Sequence, residues 1–204
     1  HNFLRINTAV PGTLIKKEKP YSWEDRPRGN DEVPSGGMKG YEVVLHNTRV
    51  AAAIALQARL KGILLDWEVY GGNVYDFKIQ QDAAKRGKGL EETKIQVRHR
   101  AEQFMGILNE VYPDMTLLII PWLYDRPNHP PEILWDPFAD GLIAACNPRM
   151  RIVEGNEFGY YIDSLNDFQE MYDYDYATAA THCAVPHKFL KQLDVGFGLY
   201  LDRD

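Results

Sequence analysis

The chain has 204 residues, 45% of them hydrophobic and 25% charged, with a formal net charge of -6 at pH 7. That length supports one domain with a real core, and the acidic balance argues against nucleic acid or an anionic membrane as the main partner. No apolar run approaches the roughly 20 residues needed to cross a bilayer.

The opening run NFLRINTAV reads as a strand over 2–10, carrying Arg5 and Asn7, and Pro11-Gly12 ends it. The start has neither a methionine nor a signal peptide, which reads as a trimmed or processed chain. A polar, Pro- and Gly-containing stretch fills 13–40, longer than an ordinary connection and so of functional interest. From Tyr41 to Leu60, apolar residues recur at three- and four-residue steps and alanine is abundant, which predicts a helix. His46 and Asn47 lie in it as capping or packing groups.

KGILLDWEVYGG, residues 61–72, is the most informative stretch. It begins as a buried strand and ends in two carboxylates, Asp66 and Glu68, around Trp67. Side chains alternate along a strand. Asp66, Glu68 and Tyr70 therefore share one face and Trp67 takes the other. Two like charges side by side cost free energy unless something uses or neutralises them, so this strand end reads as a site.

A second helix is predicted over Glu91–Tyr112, stopped by Pro113 and Asp114. Strands follow at 115–124, which carries Trp122 and Tyr124, and at 140–146 and 151–161. Ser164 reads as the N-cap of a helix reaching about His182, and a last strand spans 194–202, with Asp202 at its end. Cys146 and Cys183 stand far apart in no metal-type spacing and are expected to be unpaired, buried thiols.

Six strand candidates thus alternate with helices or long excursions, and polar residues collect at the strands' C-terminal ends. The expected fold is α/β with a parallel sheet. Strand-end polarity is the mark of a (β/α)8 barrel's active face, and the absence of a glycine-rich phosphate loop after any strand disfavours an open nucleotide-binding sheet. The reading is therefore one (β/α) barrel domain over 1–204, incomplete within this chain.

Glu68 is the leading catalytic candidate, a glutamate at a strand mouth placed for general acid chemistry. Asp66 would orient it. Glu157, in RIVEGNEFGYY, is the second carboxylate, and alternation puts Glu154 on the opposite face from it. Asn156-Glu157 resembles the Asn-Glu pair at a strand end in many retaining barrel glycosidases. Tyr70, Asn7, Arg5, Trp122, Tyr124, Asn156 and Asp202 are the candidate substrate-binding groups, aromatics for sugar faces and polar side chains for hydroxyls. Arg5 is equally a partner for a carboxylate. No cofactor is called for, and no histidine shows metal-ligand spacing.

KGILLDWEVYGG also resembles the chitinase-type glycoside hydrolase signature D-G-x-D-x-D-x-E. Asp66 falls on its last aspartate and Glu68 on its catalytic glutamate, while Lys61 and Leu64 replace the other two acids. In that family the glutamate protonates the leaving oxygen and the aspartate steadies the substrate's N-acetyl group, a route that the loss of an acid at Leu64 puts in doubt. More broadly, HNFLRINTAVPG, the stretch from VVLHNTRV to DWEVYGG, RIVEGNEFGYY and DVGFGLYLDRD are similar to a largely uncharacterised group of bacterial proteins labelled glycoside-hydrolase-like barrels. The resemblance implies a barrel acting on carbohydrate and supplies no catalytic residues. The expectation is a glycoside hydrolase with Glu68 as acid/base and Glu157 as nucleophile or second carboxylate. The rivals are a non-catalytic carbohydrate-binding barrel, and a divalent-metal-dependent hydrolase or isomerase ligating through Asp66, Glu68, Glu157 and a histidine.

Overall fold

The computed structural model describes residues 2–7, 23, 41–68, 74–78, 89–124 and 134–199. They form a mixed α/β structure around a five-stranded parallel sheet in the order β1-β2-β3-β4-β5. The strands are β1 (Phe3–Asn7), β2 (Gly62–Asp66), β3 (Thr116–Ile120), β4 (Arg151–Asn156) and β5 (Leu193–Phe197). Spatial order follows chain order without reversal, so the described strands contain no switch point of a doubly wound sheet.

Between the strands run α1 (Tyr41–Gln57), α2 (Leu90–Val111) and α3 (Trp135–Ala145). These helices pack in the same sequence, α1 on α2 and α2 on α3. One face of the sheet is sealed by them. Ile63 and Leu65 of β2, Leu117 and Ile119 of β3, Ile152 of β4 and Leu193 of β5 are all buried in that core. The alternate residues Leu64, Leu118, Ile120 and Val153 are only half-buried on the other face. None of the described helices is long and apolar enough to cross a membrane.

Close approach at Gly62 sets the β2–β3 spacing. A Cβ there would lie 1.8 Å from the Thr116 carbonyl oxygen, which cannot yield without moving the strand. Gly62→Ala is expected to destabilise by about 1–3 kcal/mol or more, lowering Tm by roughly 2–12 °C. A thermal melt with unchanged Tm would show that the two strands do not approach so closely.

The strand expected over 140–146 is instead the second half of α3. Its apolar run cannot be told from a buried helix by periodicity alone. The helical rhythm starts upstream, where Trp135, Phe138, Ala139 and Leu142 are buried together. Pro137 is tolerated because it lies in the first turn, where its missing N–H has no intrahelical partner to lose. The expected strand over 151–161 is also shortened. It ends at Asn156, and Glu157–Tyr161 form a 3₁₀ turn.

Ser164 does cap a helix, its Oγ accepting from the Asp167 N–H at 3.2 Å. That helix, α4 (Leu165–Asp173), continues through a π-helical turn at Tyr174–Ala179 and an α-turn at Ala180–His182. A further short helix, α5 (Pro186–Gln192), was not legible and leads directly into β5. Cys146 and Cys183 are free, buried thiols. The sequence-read ends of β1 at 8–10, of β2 at 69–70 and of β5 at 200–202 lie outside the described residues.

Candidate active site

Strand alternation delivers the two faces of β2 as the sequence implies. Trp67 turns into the core, where it stacks on Trp135 with ring centroids 4.2 Å apart and donates from Nε1 to the Trp122 carbonyl at 2.8 Å. Asp66 is on the opposite face and is fully buried. Its two oxygens are divided between two tasks. Oδ2 accepts from Arg5 Nε at 2.8 Å and pairs with the same guanidinium through Nη2. Oδ1 accepts from the Glu68 backbone N–H at 2.9 Å.

The register explains this meeting, because Arg5 and Asn7 of β1 align with Leu64 and Asp66 of β2. Arg5 remains 61% exposed along its side chain, so the pair joins a dry carboxylate to a wet cation. Asn7 Nδ2 also reaches the Glu68 carbonyl at 3.4 Å. The backbone at Glu68 is thus held from both sides.

Glu157 comes to the same place from β4. It follows the last residue of that strand as Glu68 follows the end of β2, and its N–H is tied to the Pro121 carbonyl at 2.8 Å. Its carboxyl group lies near enough to those of Glu68 and Asp66 for both to raise its pKa. In a 3₁₀ turn, residues i and i+3 eclipse. Tyr160 therefore lies over Glu157 and donates its hydroxyl to Glu157 Oε1 at 2.9 Å.

Gly198 leaves room for that phenol. A Cβ at Gly198 would meet Tyr160 Cε1 at 2.5 Å. Tyr160 was not singled out from the sequence, although the Glu-x-x-Tyr spacing carries the signal once the turn is known to be 3₁₀. Burial raises the Glu157 carboxyl above its ordinary range; the Tyr160 hydrogen bond opposes this, and nearby Glu68 and Asp66 add to it. Burial and two acidic neighbours both favour the neutral form of Glu157.

The remaining sequence candidates separate. Asn156 is buried on the other side of β4. Its Oδ1 accepts from the Phe158 N–H at 3.0 Å and its Nδ2 donates to Asp175 at 3.2 Å, so it shapes the turn and does not face Glu68. Tyr124 is also buried, donating to Asp140 Oδ1 at 2.7 Å and packing on Phe189. Desolvation, then the Asp140 charge, pushes its phenol well above the usual range.

Trp122 is half-buried and stacks on Phe158 with centroids 5.0 Å apart. Glu154 is buried on the helix side, where its Oε1 accepts from the Leu123 N–H at 3.0 Å. His46 and Asn47 are exposed on α1. Tyr70 and Asp202 lie outside the described residues. Among the described residues, no three His, Cys, Asp or Glu side chains are gathered as metal ligands would be.

Four sequence-read residues thus come together: Asp66 and Glu68 at the end of β2, Glu157 just past β4 on the far side of β3, and Arg5 from within β1. The arrangement offers two acidic side chains, one of them raised above its ordinary range, and an ion pair between a buried aspartate and an exposed arginine that holds the backbone beneath them. No protein-family model, curated protein or solved structure matches this chain.

Proposed function

We propose that the chain is a glycoside hydrolase built on a β/α-barrel arc, with Glu68 and Glu157 as its two catalytic carboxyls. The observation that supports this reading is the convergence of Glu157, from beyond β4, on Glu68 and Asp66, from the end of β2, at the C-terminal end of a parallel sheet whose order never reverses. Opposed carboxyl groups on a strand-end face are what glycosidic bond cleavage requires: one to protonate the leaving oxygen, one to meet the developing positive charge at the sugar.

Retaining enzymes hold the pair roughly 5–5.5 Å apart and inverting ones roughly 6.5–9.5 Å, to admit a water. Glu157 is close enough to Glu68 to be raised by it, nearer the retaining arrangement than one that admits a water between the pair, so retention is the expected outcome. The environment also favours roles opposite to those expected from the sequence. Glu157, raised by burial and its acidic neighbours, is the proton donor. Glu68 is the nucleophile, and Asp66 is a positioning residue that holds it through the backbone.

The test is turnover of a panel of polysaccharides and aryl glycosides by the whole chain, with the anomeric configuration of the first-formed product read by proton NMR. Hydrolysis with retention is expected. Binding without turnover of any glycoside would leave only a carbohydrate-binding protein, and inversion would overturn the assignment of Glu68 as nucleophile.

A further inference from the structure

Tyr161 is 73% exposed, the most exposed of the large aromatic side chains among the described residues, and its neighbours keep it there. The 3₁₀ turn that carries it is fixed at several points. Asn156 Oδ1 caps the Phe158 N–H at 3.0 Å, and the Ile162 N–H returns to the Gly159 carbonyl at 3.4 Å. Gly159 presses on the segment after β5, since a Cβ there would lie 2.6 Å from the Gly198 carbonyl oxygen. Tyr160 is anchored on Glu157.

With three residues per turn, Tyr161 falls on the side of Phe158, and Phe158 in turn stacks on Trp122. The Tyr161 ring stands 6.5 Å from that of Tyr160, close to edge-on. One immobilised turn therefore presents an acid group, a phenol bonded to it, and beside them a large ring open to solvent.

We propose that Tyr161 is the floor of a sugar subsite adjoining the carboxyl pair, and that the substrate is consequently an oligosaccharide or polysaccharide chain. This rests on the glycosidase reading and extends it to a chain-length preference. A pyranose ring has an apolar C–H face and a hydroxylated edge. A rigid tyrosine suits it because the ring supplies contact area, the hydroxyl stays wet, and little conformational freedom is lost on binding. The polar edge would be met by the Glu157 carboxyl and the Tyr160 hydroxyl, which the same turn carries. A protein partner is the competing use of an exposed apolar patch, since Leu165 is 87% exposed only four residues on.

The test uses the whole chain carrying Glu68→Gln, to stop turnover, in calorimetric titrations with cello-, xylo-, manno- and chitohexaose and with the matching monosaccharides. One hexaose is expected to bind more tightly than its monosaccharide. Adding Tyr161→Ala should weaken that hexaose by about tenfold, whereas Tyr161→Phe, which keeps the ring, should restore it. The exposed position makes either variant compatible with folding, and circular dichroism checks this.

Hexaose affinity unchanged by Tyr161→Ala would overturn the subsite. So would failure of every hexaose to bind, or light scattering showing that Tyr161→Ala dissociates a dimer instead. The underlying reading fails separately: a hexaose that binds through Tyr161 but is never cleaved by the unaltered chain removes the hydrolase and leaves the subsite standing.

Discussion

Glu157→Gln is expected to lower kcat on an unactivated glycoside by about 10²–10⁴-fold, the usual worth of general acid–base assistance. The substitution is conservative in shape. Its amide oxygen still accepts from Tyr160, so the hydrogen bond that holds the side chain persists. What disappears is the proton. An aryl glycoside with an activated leaving group needs no protonation, so its first step should survive and appear as a burst of released phenol. The second step then stalls, because water lacks a base.

The same variant should be more stable than the parent at neutral pH. The folded state raises the Glu157 value above that of the unfolded chain. Its contribution to stability is therefore fully present below the unfolded value and is lost as pH rises through the folded one. Glutamine carries no charge to lose, so the gap in Tm between the two proteins should open as pH rises from about 4 to 7. A variant that is both less stable at pH 7 and fully active would sink the assignment of the proton to Glu157.

Glu68→Gln should be the more damaging change. As nucleophile, Glu68 must form the covalent glycosyl-enzyme whatever the leaving group. Natural and activated substrates should both fall to the uncatalysed background, and no glycosylated protein should be seen by intact mass spectrometry. The contrast between the two variants carries the information. A leaving-group dependence found for Glu68→Gln and absent from Glu157→Gln would reverse the two roles while keeping the pair. Equal, modest losses in both would argue that they only bind sugar hydroxyls.

The legible part of the site was what strand alternation dictates. A period of two puts Asp66 and Glu68 on one face with Trp67 behind them, and separates Glu157 from Glu154. The structure has these relations: Trp67 and Glu154 are buried on the helix side, and Asp66 is on the other. The same rule applied more strictly separates Asn156 from Glu157, and Asn156 indeed turns to Asp175. The resemblance to an Asn-Glu pair drew attention to the right glutamate and to a neighbour that faces away from it.

A parallel α/β sheet, its apolar strands, the helices read over 41–60 and 91–112 and found at 41–57 and 90–111, and acids waiting at a strand end all follow from local pattern, because backbone geometry and side-chain period act over a few residues. The rest depended on elements distant in sequence. Arg5 reads from the sequence as a sugar-binding group or a carboxylate's partner, and the β1–β2 register decides between them by bringing it to Asp66. Tyr124 and Trp122 belong to one short run, yet the first is buried on Asp140 and the second stacks at the rim. DGLIAAC is helix because Trp135 and Phe138, upstream of it, have the same core to fill. The meeting of Glu68 with Glu157 rests on β2 and β4, the two strands that flank β3, ending on the same side of the sheet, and the order of strands in a sheet is set by packing of the whole chain, which no local period records.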